Sequence, residues 1–402
     1  MHVSKKLSSS ALALMAALAL AAPASAQVAG GGVSASFAPA TGVLTVSGDD
    51  ADNTILIGRG GGGKILVNDG AVTTQGGTPT INNTSLIQVA GQGGADRIIL
   101  AEGVPGLPGV QVDGGDGLDT LEVNGGSINE AFTAAPNAGR VRLDRTVPTS
   151  GPYSVDIGST ENLVLDMAAG DDTFTGSNGL AALIQITVDG GPGNDELNGS
   201  DGADILIGGP GKDVIDGNRG NDVAFMGPGN DVFIWDPGDG SDVVEGQDGQ
   251  DTLRFNGANV SERIDISANG GRARFFRDIA NITMDLDDVE TIEFNALGGA
   301  DTITVNDLSG TDVDDVTLEL AGQLGGFDGD GQIDAVVVNG SNGDDNVRIA
   351  RRNGNVVVSG LPATVTIGAS EPTDTLTVNG LGGDDDFNVN LPGGDISLTV
   401  NP

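Results

Sequence analysis

Apolar residues along this chain come in short alternating runs rather than in helical stripes. DTLEVNG (119–125), DTITVND (301–307) and DTLTVNG (374–380) place Leu, Ile or Val at every second position and close on Asn or Asp. Period-two alternation marks a strand with one buried face, and the closing Asn/Asp marks a turn. A shortened form of the pattern fills residues 190–254 in nine-residue blocks: GGPGNDELN (190–198), GSDGADILI (199–207), GGPGKDVID (208–216), GNRGNDVAF (217–225) and MGPGNDVFI (226–234). After Trp235 and Asp236 the series resumes with PGDGSDVVE (237–245) and GQDGQDTLR (246–254).

Each block predicts a glycine-rich turn followed by a very short strand. The eighth residue of each block (Leu197, Leu206, Ile215, Ala224, Phe233, Val244, Leu253) should point inward and stack on its counterparts. Proline recurs at the third position of every second block, as Pro192, Pro210 and Pro228. Alternate blocks therefore share an environment, and the structural unit is one coil of two blocks: strand, turn, strand back, turn. Gly-Pro-Gly turns should line one edge of a flattened solenoid, with the Asp201 and Arg219 turns on the other.

Composition supports strands over helices. Among 402 residues there are 67 glycines, 3% aromatics and no cysteine. So much glycine disfavours a helix bundle, while 38% hydrophobic content is too high for a disordered acidic chain. Residues 1–26 stand apart: Lys5 and Lys6 precede the apolar run 11–22 and an Ala24-Ser25-Ala26 end, which describes a signal peptide cut before Gln27. The run is too short to span a bilayer. The expected localisation is secreted or extracellular, including attachment at a cell surface.

Charge then narrows the chemistry. The formal net charge is −39, and the sixth block position always carries an aspartate: Asp195, Asp204, Asp213, Asp222, Asp231, Asp242 and Asp251. A polyanion of this kind does not seek nucleic acid or anionic lipid. The only histidine, His2, leaves with the signal, so neither a zinc site nor a Ser-His-Asp or H-E-x-x-H centre can be assembled. Hard cations that prefer oxygen ligands remain.

The blocks resemble the haemolysin-type calcium-binding repeat, the RTX nonapeptide G-G-x-G-x-D-x-U-x. The resemblance implies an all-β, right-handed parallel β-helix or β-roll solenoid with Ca2+ bound between coils. Each ion would be held by aspartates and turn carbonyls of one block and of the block two places on. The implied pairs are Asp195/Asp213, Asp204/Asp222 and Asp213/Asp231, with Asp222/Asp242 and Asp231/Asp251 straddling the two-residue insertion. Gly191, Gly193, Gly209 and Gly211 join the candidate ligand set, as do the third-position acids Asp201, Asp239 and Asp248. The isolated copy GGDGLDTLE (114–122) adds Asp119 and Asp116 as weaker candidates. Departures include Ser200, Asn218 and Gln247 at the second glycine, and Arg219 near the Asp204/Asp222 edge.

The expected organisation is signal peptide 1–26, irregular solenoid 27–189, calcium roll 190–254 and a second irregular solenoid 255–402; a roll between two small β-sandwiches is the rival. At about 1 mM calcium and a Kd of about 10⁻⁴ M, each ion stabilises by roughly 1.4 kcal/mol. A handful of such sites rivals the whole stability of a typical domain, so calcium is expected to drive folding outside the cell. The functional expectation is a structural or surface-interaction protein without enzymatic activity, whose partners are calcium and extracellular polysaccharide or cell-surface components, with no membrane insertion. The alternative is a polysaccharide-acting enzyme or carbohydrate-binding adhesin on the same scaffold. RARFFRD (272–278) reads as a strand whose arginines pair with neighbouring acids. GQLGGFDGDGQID (322–334) lacks the closing Glu of an EF-hand and reads at most as an ancillary calcium loop.

Overall fold

The computed structural model describes residues 32–101, 107–148, 153–392, 394 and 396–402. The signal segment 1–26 lies outside them. Among the described residues there is no α-helix, only strands and three short 3-10 turns. The strands form two long sheets, here called face A and face B, which the chain visits alternately.

In the central coils the face A strands are Glu196–Asn198, Val214–Asp216, Val232–Trp235 and Thr252–Asn256, and the face B strands are Ile205–Ile207, Val223–Phe225 and Val243–Glu245. All neighbours on each face are parallel. Leu197 pairs with Ile215, Ile215 with Phe233 and Phe233 with Leu253; on face B, Leu206 pairs with Ala224 and Ala224 with Val244. Every one of these seven side chains is fully buried. The coil of two blocks and its inward column are therefore present, as a parallel β-roll.

The pairing does not stop at residues 190 and 254. Asn162–Asp166 and Gln185–Asp189 continue face B upstream, and Thr291–Asn295 and Asp315–Glu319 continue face A downstream, all in parallel register. These flanking strands differ in one physical respect. Each five-residue strand buries two inward side chains, such as Leu163 and Leu165, whereas Glu196–Asn198 and Val214–Asp216 bury one each. Burying an aliphatic side chain stabilises by roughly 1.5–3 kcal/mol, so the central coils have about half the core support per strand. The two-residue insertion marks the change: it lengthens Val232–Trp235 so that Trp235 becomes a second inward residue, paired with Phe255.

Three antiparallel meanders interrupt the expected coil-on-coil stacking. They are Ala131–Asn137, Arg140–Val147, Tyr153–Gly158 on face A; Arg263–Asn269, Arg272–Arg277, Ile282–Asp287 on face B; and Asn346–Arg352, Asn355–Ser359, Thr364–Gly368 on face A. In each, the last strand joins the preceding coil and the first joins the following one. The arginine-rich strand 272–277 is the middle of the second meander. Arg272 pairs with Asp285 at 2.7 Å and Glu245 at 3.0 Å, and Arg274 with Asp265 at 3.4 Å.

Candidate metal centre

Two turn edges run along the solenoid. On the edge leading from face B to face A, the Gly-Pro-Gly turns stack through parallel bridges Gly193↔Gly211, Gly211↔Gly229 and Gly229↔Gly249. The amide of Gly193 donates to the Pro210 carbonyl and that of Gly211 to the Pro228 carbonyl, each at 3.0 Å. The other edge carries the Asp201, Arg219 and Asp239 turns.

Only glycine permits this spacing. Gly191 and Gly209 have φ of +82° and +96°, in the left-handed region. A Cβ on Gly211 would stand 1.4 Å from the Gly193 carbonyl oxygen, and one on Gly209 would stand 2.4 Å from that of Gly191. The carbonyls of one turn thus face the backbone of the next. Where the second glycine is replaced, Asn218 and Gln247 still adopt φ of +57° and +77°.

The sixth-position aspartates form a ladder. Each backbone amide donates to Oδ1 of the aspartate one coil on: Asp195 to Asp213 at 2.8 Å, Asp213 to Asp231 at 2.7 Å and Asp231 to Asp251 at 2.9 Å on one edge. On the other edge Asp204 donates to Asp222 and Asp222 to Asp242, both at 2.8 Å. All five pairs share one geometry, including the two that straddle the insertion. All seven side chains are buried.

One carboxylate oxygen per rung has no hydrogen-bond partner: Oδ2 of Asp195, Asp213, Asp222, Asp231, Asp242 and Asp251, and Oδ1 of Asp204. An unpaired buried carboxylate oxygen is costly. Burial accordingly pushes Asp195 and Asp204 up to about 6 and Asp213, Asp242 and Asp251 up to about 7. Asp222 rises to about 9, because burial is reinforced by the charges of Asp242, Asp204 and Asp239. Orphaned hard oxygens beside glycine carbonyls suit a divalent cation that takes 6–8 oxygen ligands. Calcium fits; it would be held by these aspartates with the carbonyls of Gly191, Gly193, Gly209 and Gly211.

The third-position acids differ from one another, and the charges of Asp201 and Asp239 reach the ladder at Asp204, Asp222 and Asp242. Asp201 accepts the amides of Gly179, Leu180 and Ala181 at 2.7–3.0 Å, which holds its carboxyl below the usual range. Asp239 is raised to about 6, by burial first, and Arg219 opposes that shift. The Asp248 side chain is exposed. Of the weaker candidates, Asp119 is a buried rung that accepts the Asp96 amide at 2.8 Å, whereas Asp116 is exposed.

The ladder reaches well beyond the strict blocks. Upstream, Asp96 accepts from Asn53 at 2.7 Å, and Asp172 accepts from Glu130 at 2.6 Å and donates to Asp195 at 2.8 Å. Downstream, Glu262 donates to Asp301, Asp301 to Asp334 and Asp334 to Asp374 at 2.8–3.0 Å. Sequence reasoning left Asp96, Asp172, Asp301 and Asp374 out of the site and placed Asp334 only in the ancillary loop 322–334. Their common signal is an aspartate at the end of a turn, directly before an alternating strand, as in GGADRIIL (93–100) and GGADTITVN (298–306).

The model of the RTX calcium-binding nonapeptide repeat matches this chain in four copies, over residues 189–224 and 238–259. Compared with curated proteins, the chain matches none. The central coils are therefore RTX calcium-binding repeats. Among the described residues, no helix is long and apolar enough to cross a membrane.

Proposed function

We propose that this chain is a secreted calcium-binding scaffold, without catalytic activity, whose central roll folds outside the cell when calcium completes the aspartate ladder. It then presents its sheet faces to extracellular partners. The supporting observation is the pairing of a thin core, one inward side chain in the shortest strands, with a row of orphaned buried carboxylate oxygens. Packing alone gives such strands little, and a bound cation supplies the missing stabilisation. The signal-like residues 1–26 support secretion, and extracellular calcium is abundant enough to fill sites of modest affinity. Far-UV circular dichroism of chelated protein tests the reading: β-structure should rise as calcium is added, and an unchanged spectrum overturns it.

A second reading has its own observation. A cleft of about 720 Å³ opens on face A, lined by Asn295, Glu319, Gln323, Phe327, Arg351 and Asn353. Asn295 and Glu319 are paired neighbours at the ends of their strands on face A. Burial raises the Glu319 carboxyl, helped by the charge of Glu293. Phe327 is 93% exposed. Amides and carboxylates suit the hydroxyls of a sugar, and a bare ring suits its apolar face. Screening calcium-loaded protein on neutral and acidic oligosaccharides tests for a carbohydrate partner. Binding that Phe327→Ala abolishes supports it, and no binding to either class rejects it.

A further inference from the structure

The three meanders share a fold but not a charge balance. The middle strand of each of the first two carries three arginines, and all six meet carboxylates. Arg142 meets Asp144, Arg274 meets Asp265, and Arg145 and Arg277 reach the buried rungs Glu130 and Glu262. The third meander lacks such partners of its own. From Asn346 to Gly368 the chain carries Arg348, Arg351 and Arg352 and no acid, although its formal net charge is −39. All three arginines are exposed. Among the described residues, Arg348 and Arg352 form no ion pair.

Strand alternation aims this charge outward. Val347 and Ile349 are buried, so Arg348 points away from the core on face A. Its neighbours in register are Ser359 and Asn388, and Arg352 lies opposite Asn355. Hydroxyl and amide groups therefore accompany two guanidinium groups about 13 Å apart along the strand, a span of a few sugar units. The same hairpin walls the cleft that holds Phe327: Arg351, Asn353 and Asn355 line it, next to Arg352 in the chain and across the turn. Glu319 is the one described acid lining that cleft, and burial raises its carboxyl, which lessens its opposition to an anionic guest.

We propose that the third meander and the adjoining cleft bind an acidic polysaccharide, whose carboxylate or sulfate groups meet Arg348 and Arg352 while a sugar ring lies on Phe327. The proposal rests on the carbohydrate reading of the cleft and names its class of sugar. Guanidinium groups pair with planar anions in forked geometry, and the amides and hydroxyls between them suit sugar hydroxyls. Sparse charge is what the surface accepts. A nucleic acid duplex, with one charge per about 1.7 Å, would meet the acids that surround this patch on the rest of the chain.

Calorimetric titration of the calcium-loaded full chain with hyaluronan hexasaccharide and with uncharged chitohexaose tests the proposal. The acidic sugar should bind about tenfold more tightly, and the difference should shrink as salt is raised. In the Arg348→Gln, Arg352→Gln double variant that advantage should disappear while chitohexaose binding and the calcium response of Trp235 fluorescence are retained. Lys212→Gln, which removes an exposed cation elsewhere, should leave the preference intact. Equal binding of the two sugars, or a double variant that keeps the preference, overturns the acidic assignment and leaves the carbohydrate reading standing. Binding of neither sugar overturns both. A single-stranded oligonucleotide that binds as tightly as the acidic sugar also overturns the assignment, because the patch would then recognise charge alone.

Discussion

Trp235 lies flat against Phe255, with ring centroids 3.9 Å apart and planes 6° from parallel, where the short central strands give way to longer ones. The guanidinium of Arg277 sits 5.3 Å from the centre of the Trp235 ring, and its indole Nε1 donates to the Gly240 carbonyl at 2.8 Å. The single tryptophan therefore reports on the last coils of the roll. Removing calcium should red-shift its emission as the coil opens, and adding calcium should reverse the shift. Emission identical in chelator and in calcium would contradict a calcium-dependent roll.

The ladder makes the metal-free roll sensitive to pH in an unusual direction. Asp213, Asp242 and Asp251 rise to about 7 and Asp222 to about 9, against roughly 3.9 in an unfolded chain. Such groups hold protons more tightly when folded. Their contribution is fully present below about pH 4 and is lost as pH rises through about 7 to 9. Chelated protein should therefore melt at a higher temperature at pH 5 than at pH 8, and calcium should remove most of that difference. Calcium binding at pH 7 should also release protons, measurable in a weakly buffered titration. A chelated roll that is more stable at pH 8 would contradict these raised values.

Asp213 and Asp201 separate the ladder from ordinary turn capping. Asp213→Asn retains an oxygen for the Asp195 amide but halves the charge shared across a coil step. Calcium should bind about tenfold more weakly, a loss of about 1.4 kcal/mol. Asp201→Asn weakens the hydrogen bonds to residues 179–181 and removes one charge near Asp204; it should cost about 1 kcal/mol and move the calcium midpoint far less than Asp213→Asn does. Titrations of the two variants side by side check the contrast.

Glycine dependence should follow the stack. Gly211→Ala would drive a methyl into the Gly193 carbonyl, so the roll should fail to reach its folded signal at any calcium level. Gly109→Ala meets nothing within 4 Å and carries no left-handed φ, so its stability should change by less than about 0.5 kcal/mol. Calcium titrations of β-signal on both variants test this.

Much of the roll was legible because its signals are local. Alternating prolines gave the coil, the eighth position gave the inward column, and registered aspartates gave the ladder. The meanders were not legible, because period-two alternation is the same in parallel and antiparallel strands: Arg140–Val147 alternates buried and exposed much as Asn162–Asp166 does. The outer rungs were hidden by uneven coil length. Asp96 and Asp119 are 23 residues apart and Asp119 and Glu161 are 42 apart, so no fixed period links them. A glutamate paired with a distant arginine, as at Glu262 and Arg277, carries no repeat signature at all.

Amide hydrogen exchange of the intact chain, in chelator and in millimolar calcium, tests the central claim most directly. The account predicts that residues 190–254, including the donating amides of Asp195, Asp213 and Asp231, exchange freely in chelator and become protected in calcium. Strands with two inward residues, such as Asn162–Asp166, should stay protected in both. Equal protection of residues 190–254 with and without calcium would contradict it.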